Sequence, residues 1–275
     1  SKSNNLNCID VKSFSEICYI LNNLIYKIIY VHSLSKYLNK HYWIRKLFVN
    51  KFFSQLITKK SLNKIVFNSI YKSNYWNKSK DFNPKKQSLS GPGSIPNSIQ
   101  TNNLIFELRK FFNKNKIKTI LDAPCGDCAW IQEIFNTDIK YTGIDIVEDL
   151  IQDNFNKFKI YKNVNFICED LTEFNNFNKY DFILLRDFFI HLPSQSIQKI
   201  LFNLKNSDCK YFAFNNYESV KINKDIPTGQ HRKINVLNKP FNFETPYFKI
   251  LELKNNNFPD KNLDDNFIYI YKNNP

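Results

Sequence analysis

Two aspartates stand at the ends of apolar runs, separated by a tight turn. Asp122 closes Thr119-Ile120-Leu121, and Asp145 closes Tyr141-Thr142-Gly143-Ile144. Each run reads as a buried strand. Between them, Ala123-Pro124-Cys125-Gly126-Asp127-Cys128 turns around Gly126 and leads into a short helical stretch. A Gly-containing first turn followed by an acid at the end of the second strand is how a doubly wound α/β fold holds a ribose. The turn lets the backbone approach the ligand, and the acid accepts hydrogen bonds from two vicinal hydroxyls. A pyrophosphate would instead prefer a glycine-rich turn with free amides at a helix start. A cation bearing a ribose and an amino-acid tail needs acceptors at both places, and the two strand ends supply carboxylates there.

A second chemistry competes at the same turn. Cys125 and Cys128 form a Cys-x-x-Cys at a strand-to-helix junction, the position of a thioredoxin-like redox pair. Against it, no second Cys or His pair offers a zinc site, and strand–helix alternation continues for well over a hundred residues. The bland alternative is two small residues filling a turn. Further along, Arg186, Asp187 and His191 follow a fourth strand. A helix starting at 187 would place Asp187 and His191 on one face, one turn apart.

The elements that must hold these residues are legible in the pattern. Strands are expected at 118–122, 140–145, 164–168, 180–186, 210–215, 247–253 and 266–272. Helices are expected at 97–114, 128–136, 147–157 and 194–206. Runs such as Phe182-Ile183-Leu184-Leu185 suit a parallel sheet buried on both faces. Residues 216–246 have little periodicity, and an insert of that length in a compact domain is usually functional. It carries Asp225, Thr228, His231, Arg232 and Asn235, polar groups expected to bind an acceptor over the carboxyl ends of the sheet. Trp76 and Trp130 are expected near the site as packing.

Residues 10–75 read as helices, and a domain boundary is placed near residue 78. That gives a helical N-terminal region over 1–78 and the α/β domain over 79–275. The apolar run from Ile17 to Val31 is too interrupted for a confident transmembrane span. The basic, aromatic stretch Tyr42-Trp43-Ile44-Arg45-Lys46-Leu47-Phe48 suits either a membrane surface or, as the favoured expectation, a helical cap on this or a partner domain. The formal charge is +14, from 39 basic and 25 acidic residues. That balance fits nucleic acid or an anionic membrane, but also a merely solvated lysine-rich surface. The six cysteines are scattered, which fits reduced cytosolic thiols better than a disulfide framework. Met is absent, so the expectation is a processed product or a segment.

Leu121-Asp122-Ala123-Pro124-Cys125-Gly126-Asp127 followed by Gly143-Ile144-Asp145 resembles the first two motifs of the class I S-adenosylmethionine-dependent methyltransferases. Cys168-Glu169-Asp170-Leu171 resembles the third, and Asp181 through Asp187 with His191-Leu192 the fourth. Pro124 and Cys128 stand where the family often has glycines. The Ser90-Gly91-Pro92-Gly93-Ser94 loop and the stretch from Thr228 to Phe243 resemble a subgroup often linked to glycan modification.

The resemblance implies a Rossmann-like class I methyltransferase fold, a seven-stranded, mostly parallel sheet with an antiparallel strand near one edge. It implies S-adenosyl-L-methionine as cofactor, with S-adenosyl-L-homocysteine as product. Asp122, Ala123, Pro124, Gly126 and Asp127 would face the methionine part, Asp145 the ribose hydroxyls, and Asp170 and Leu171 the adenine, with Ile146 also at the cofactor. Arg186 is expected at both the cofactor and the reacting centre. No metal is expected. An alcohol is a poor nucleophile while protonated, so His191 would act as base, with Asp187 orienting it or touching the acceptor; the alternative is local packing, with catalysis mostly by proximity. The expected reaction is O-methylation of a sugar or glycan in the cytoplasm. A nucleic-acid methyltransferase is the alternative, with a thiol oxidoreductase and a non-enzymatic cofactor-binding module behind it.

Overall fold

The computed structural model describes residues 59–77, 88–252 and 266–273. The described residues from Leu62 onward belong to one compact unit. The helices expected before residue 59, including the basic aromatic stretch at 42–48, lie outside the described residues. Helix α1 spans Lys59–Lys72. It precedes the boundary expected near 78, and its residues from Leu62 onward group with the sheet. Among the described residues, no helix is long and apolar enough to cross a membrane.

Seven strands form one sheet: β1 (Thr119–Asp122), β2 (Lys140–Asp145), β3 (Val164–Cys168), β4 (Phe182–Leu185), β5 (Tyr211–Tyr217), β6 (Phe248–Leu251) and β7 (Asn266–Lys272). Their order is β3-β2-β1-β4-β5-β7-β6. The first five are parallel, and β7 is antiparallel to both β5 and β6. This is the sheet expected from the sequence. The order reverses between β1 and β4, and such a switch point opens a crevice at the carboxyl ends of the strands. Register fixes what stands there: Asp122 pairs with Gly143, and Asp145 with Cys168. The acids at 122 and 145 therefore end neighbouring strands at one edge.

The sheet is covered on both faces. One cluster packs Leu104, Leu108, Phe112, Ile134 and Phe135 onto Ile120 and Phe182. The other packs Ile197, Ile200, Leu201 and Leu204 onto Leu121, Ile183 and Phe212. Helix α2 (Ile99–Asn115) starts at a capping box, Ser98 with Thr101, and ends at Lys116 in the left-handed conformation; both devices satisfy backbone groups left unpaired at helix ends. Helix α3 spans Glu148–Phe158 and α4 spans Ser194–Lys205.

The helix expected at 128–136 is absent. Cys128 adopts φ 52°, and only a 3-10 turn forms at Gln132–Asn136. The apolar residues fooled the periodicity: Trp130, Ile131, Ile134 and Phe135 are all buried. What stops the helix is Asp127, whose carboxylate captures the N–H of Ala129 at 3.2 Å, a local bond that competes with helical pairing. Nor does a helix start at Asp187. That residue has φ 53°, and a 3-10 turn covers Phe189–His191.

Candidate active site

A cleft opens at the carboxyl ends of β1, β2, β3 and β4. Asp122, Pro124, Gly126, Asp145, Ile146, Asp170, Leu171, Arg186, Asp187 and His191 all line it. Those are most of the residues singled out in the sequence, brought together from four strand ends.

Asp122 is buried, and its Oδ2 accepts the Tyr141 hydroxyl at 2.6 Å. Burial pushes its pKa up to about 7, against the lowering effects of Tyr141 and Arg186. Asp145 is buried too. Its Oδ2 accepts the Gly126 N–H at 3.1 Å and its Oδ1 accepts the Val147 N–H at 2.9 Å. Burial still raises it to about 6. Two carboxyls at adjacent strand ends are thus held at a desolvation penalty that a cation or hydroxyl donors in the cleft would relieve.

The turn geometry explains its composition. Gly126 has φ 55°, and a Cβ there would stand 2.0 Å from Ser90 Oγ. Cys128 occupies the same left-handed region, which glycine enters freely and other residues at a penalty.

Two of the predicted first-motif contacts do not reach the cleft. Ala123 is fully buried, with its N–H on Leu184 O at 2.9 Å. Asp127 anchors the Ser88–Ser90 segment instead: its carboxylate accepts from Leu89 N at 2.6 Å and from Ser88 Oγ at 2.8 Å.

At the end of β4, Arg186 is a clamp. Its Nε and Nη2 reach Glu252 Oε1 at 2.8 and 2.7 Å, its Nη2 donates to Gly93 O at 2.7 Å, and its Nη1 reaches Ser94 Oγ at 3.3 Å. Trp130 covers the guanidinium at 4.8 Å. Burial works against this charge, but Glu252 and Asp187 outweigh it and hold the guanidinium above its ordinary pKa. Through these bonds Arg186 holds the Gly93–Ser94 loop and Asp187 in place while it lines the cleft. Asp187 is half-buried, and its backbone N–H donates to Asn215 Oδ1 at 2.6 Å. The Asn215 amide also donates to Glu252 Oε2 at 2.7 Å, so Glu252 braces Asp187 through two intermediaries.

His191 lies beside Trp76, with ring centroids 4.4 Å apart. Its Nδ1 is 2.9 Å from the carbonyl oxygen of Gln230. A carbonyl only accepts, so Nδ1 carries the proton and Nε2 holds the free lone pair. Burial lowers its pKa to about 4. His191 is therefore a neutral hydrogen-bond acceptor at neutral pH, and a weaker base than an ordinary histidine.

None of the five loop residues expected to bind an acceptor is among those lining the cleft. Arg232 clamps the Phe189–His191 turn, donating to Phe189 O at 2.7 Å and Leu192 O at 2.8 Å. Asn235 is buried and binds Asn216, Glu218 and Val220. Asp225 caps α4 by accepting Ser194 N–H at 2.7 Å. Thr228 donates to Asn63 Oδ1 at 3.2 Å. His231 is exposed, its ring 5.6 Å from that of His191. The loop shapes the site by fixing its neighbours; the absence of regular structure in the sequence gave no sign of that.

Cys125 and Cys128 are buried and free. Burial raises the Cys125 thiol well above its ordinary value, the opposite of a redox-active thiolate. Among the described residues, no group of His, Cys, Asp or Glu could hold a metal ion. The pair packs a turn.

Residues 120–207 match the family model of a methyltransferase domain. This is the class I methyltransferase fold. Magnesium protoporphyrin IX methyltransferase from Synechocystis PCC 6803, solved with bound SAM, has a TM-score of 0.52 at 12% identity over 77% of this chain and 97% of its own. The 1,6-didemethyltoxoflavin-N1-methyltransferase of Burkholderia thailandensis, solved with its substrate and S-adenosylhomocysteine, has a TM-score of 0.50 at 13% identity over 65% and 80%. At such identities the likeness is one of fold. No curated protein matches the chain in sequence.

The cleft also takes Asn63, Phe67 and Tyr71 from α1, which the sequence reading passed over, and Ser90 and Ser94 from the loop before α2, which it had noted without assigning them to the site. Trp76 and Trp130, expected near the site as packing rather than as stacking partners, line it as well. The α1 residues had a visible signal, an i, i+4, i+8 spacing.

Proposed function

We propose that this chain transfers a methyl group from S-adenosylmethionine to a hydroxyl of a sugar or glycan acceptor. One observation carries the cofactor part: Asp122 and Asp145, two buried carboxyls at adjacent strand ends, with pKa values raised to about 7 and about 6. Such a pair is costly to ionise alone and is relieved by a ligand bringing positive charge and vicinal hydroxyls. Asp170 at the β3 end adds an acceptor for an exocyclic amine. The donor set fits the cofactor. When bound, S-adenosylmethionine supplies an electrophilic methyl on a cationic sulfur.

The chain's own residues act on the acceptor. His191 Nε2 is a neutral acceptor for a hydroxyl proton, and Asp187, paired with Arg186 at 3.4 Å, adds a partly exposed carboxylate to the same cleft. Trp76 presents an aromatic face, suited to the apolar face of a sugar ring. With His191 held near pKa 4, most of the acceleration comes from orientation of the acceptor, and the hydrogen bond to Nε2 aligns the hydroxyl oxygen. The aromatic and polar lining favours a ring-bearing polyol over a flexible aliphatic alcohol.

The test is calorimetry with S-adenosylhomocysteine, then transfer of labelled methyl to a panel of glycans, with oligonucleotides in parallel. We expect cofactor-product binding and labelled glycan. Absence of binding by folded protein would end the cofactor reading; label on oligonucleotide alone would replace the acceptor. His191→Ala should slow transfer while leaving cofactor binding unchanged.

A further inference from the structure

Asn63, Phe67 and Tyr71 are spaced i, i+4 and i+8 on α1, so they share one face over two turns. All three line the cleft. At one end, Asn63 is buried and donates to Asp170 Oδ2 at 3.0 Å and Thr172 Oγ1 at 3.2 Å. At the other, the Tyr71 hydroxyl shares a hydrogen bond with Ser90 Oγ at 3.2 Å. A Cβ on Gly126 would come within 3.3 Å of that hydroxyl, so Tyr71 stands over the β1 turn. Phe67 lies between them and packs on the cluster containing Leu171 and Ile144. The sheet order β3-β2-β1 makes this a stripe from the β3 end to the β1 end, past Asp145. Lys64 and Lys72 tie the same helix to Glu148 and Asp149 of α3 at 3.0 and 3.9 Å.

The Asp170 arrangement is restrictive. Its Oδ1 accepts Thr172 N at 2.9 Å and Thr172 Oγ1 at 2.8 Å, and its Oδ2 accepts Asn63. Against about four lone-pair sites on a carboxylate, three donors leave one, on Oδ2. Asn63 is itself fixed, because its Oδ1 accepts Thr228.

We propose that this face of α1 is a wall of the nucleoside-binding site: Asn63 aims the spare Asp170 lone pair at the base amine, Phe67 lies against the base, and Tyr71 holds the amino-acid end of the ligand. The assignment rests on the S-adenosylmethionine reading. It makes α1, outside the strand-end motifs, part of cofactor recognition, and it divides that recognition by ligand fragment.

The experiment is calorimetry on the full 275-residue chain with two probes, S-adenosylhomocysteine and 5′-methylthioadenosine, which lacks the amino-acid end. Asn63→Ala and Phe67→Ala should weaken both probes by about tenfold or more, the scale of one lost hydrogen bond or ring contact. Tyr71→Phe should weaken S-adenosylhomocysteine by about tenfold and leave 5′-methylthioadenosine within about twofold. Should Asn63→Ala fail to fold, Tyr71→Phe, which deletes one oxygen, decides through its split between the probes. If wild type binds and the folded variants match it, the α1 assignment falls and the cofactor reading stands. If folded wild type binds neither probe, both fall.

Discussion

The backbone N–H of Gly126 donates to the carboxylate of Asp145 at 3.1 Å, so the first turn and the second strand end form one unit. Gly126 is at φ 55°, and Ser90 Oγ occupies the space of a side chain. Gly126→Ala should therefore destabilise the protein by more than the roughly 1–2 kcal/mol of a left-handed L-residue, because the Ser88–Ser90 segment must also move. Denaturant unfolding would check it; a loss under 1 kcal/mol would contradict the close approach.

Asp145→Asn keeps the shape and removes the charge. It should weaken S-adenosylhomocysteine by about a hundredfold, on the scale of about 3 kcal/mol for hydrogen bonds to a charged group. Calorimetry at pH 8, where the wild-type carboxyl is ionised, is the measurement.

Acid should weaken cofactor binding in a defined window. Asp122 and Asp145 are raised to about 7 and about 6, so affinity should fall between pH 8 and pH 5.5 and binding near pH 6.5 should release protons. Titration in buffers of different ionisation heats would count them. For ligand-free stability the sign is opposite. A carboxyl raised on folding contributes stability that is full below its unfolded pKa near 3.8 and is lost as pH rises through about 7. Asp122→Asn should thus remove a decline present in wild type between pH 4 and 7. His191, lowered to about 4, acts the other way, losing its contribution as pH falls from about 6.5. The wild-type minus Asp122→Asn difference isolates the carboxyl.

Glu252→Ala should be among the most damaging single changes. It removes the nearer carboxylate from the buried Arg186 charge and leaves only Asp187 at 3.4 Å, and breaking such a pair costs about 3–5 kcal/mol. Glu252→Gln, which keeps the shape, should lose less. Equilibrium unfolding of the two variants would rank them; equal losses would show that the charge is not what matters.

Thiol reactivity should follow burial. Cys168 is exposed, whereas Cys125, Cys128 and Cys209 are buried. Alkylation of native protein, mapped by mass spectrometry, should label Cys168 well before the other three. Fast labelling of Cys125 or Cys128 would reopen the redox reading.

The sequence by itself determined the sheet and the two carboxyls at its strand ends. Strand periodicity, the turn at Gly126 and the terminal acids Asp122 and Asp145 are local patterns, set by backbone pairing and by which side chains can be buried. Only the tertiary structure decided what the remaining polar residues do. Arg186 meets Glu252 across 66 positions and Asn63 meets Asp170 across 107; no local spacing encodes such partners. The same holds for Arg232 and Asn235, whose donors look like ligand contacts in sequence but turn inward, because buried carbonyls in a long irregular segment must be satisfied. The helix expected at 128–136 dissolved for a related reason: one carboxylate, Asp127, outcompeted the periodicity around it.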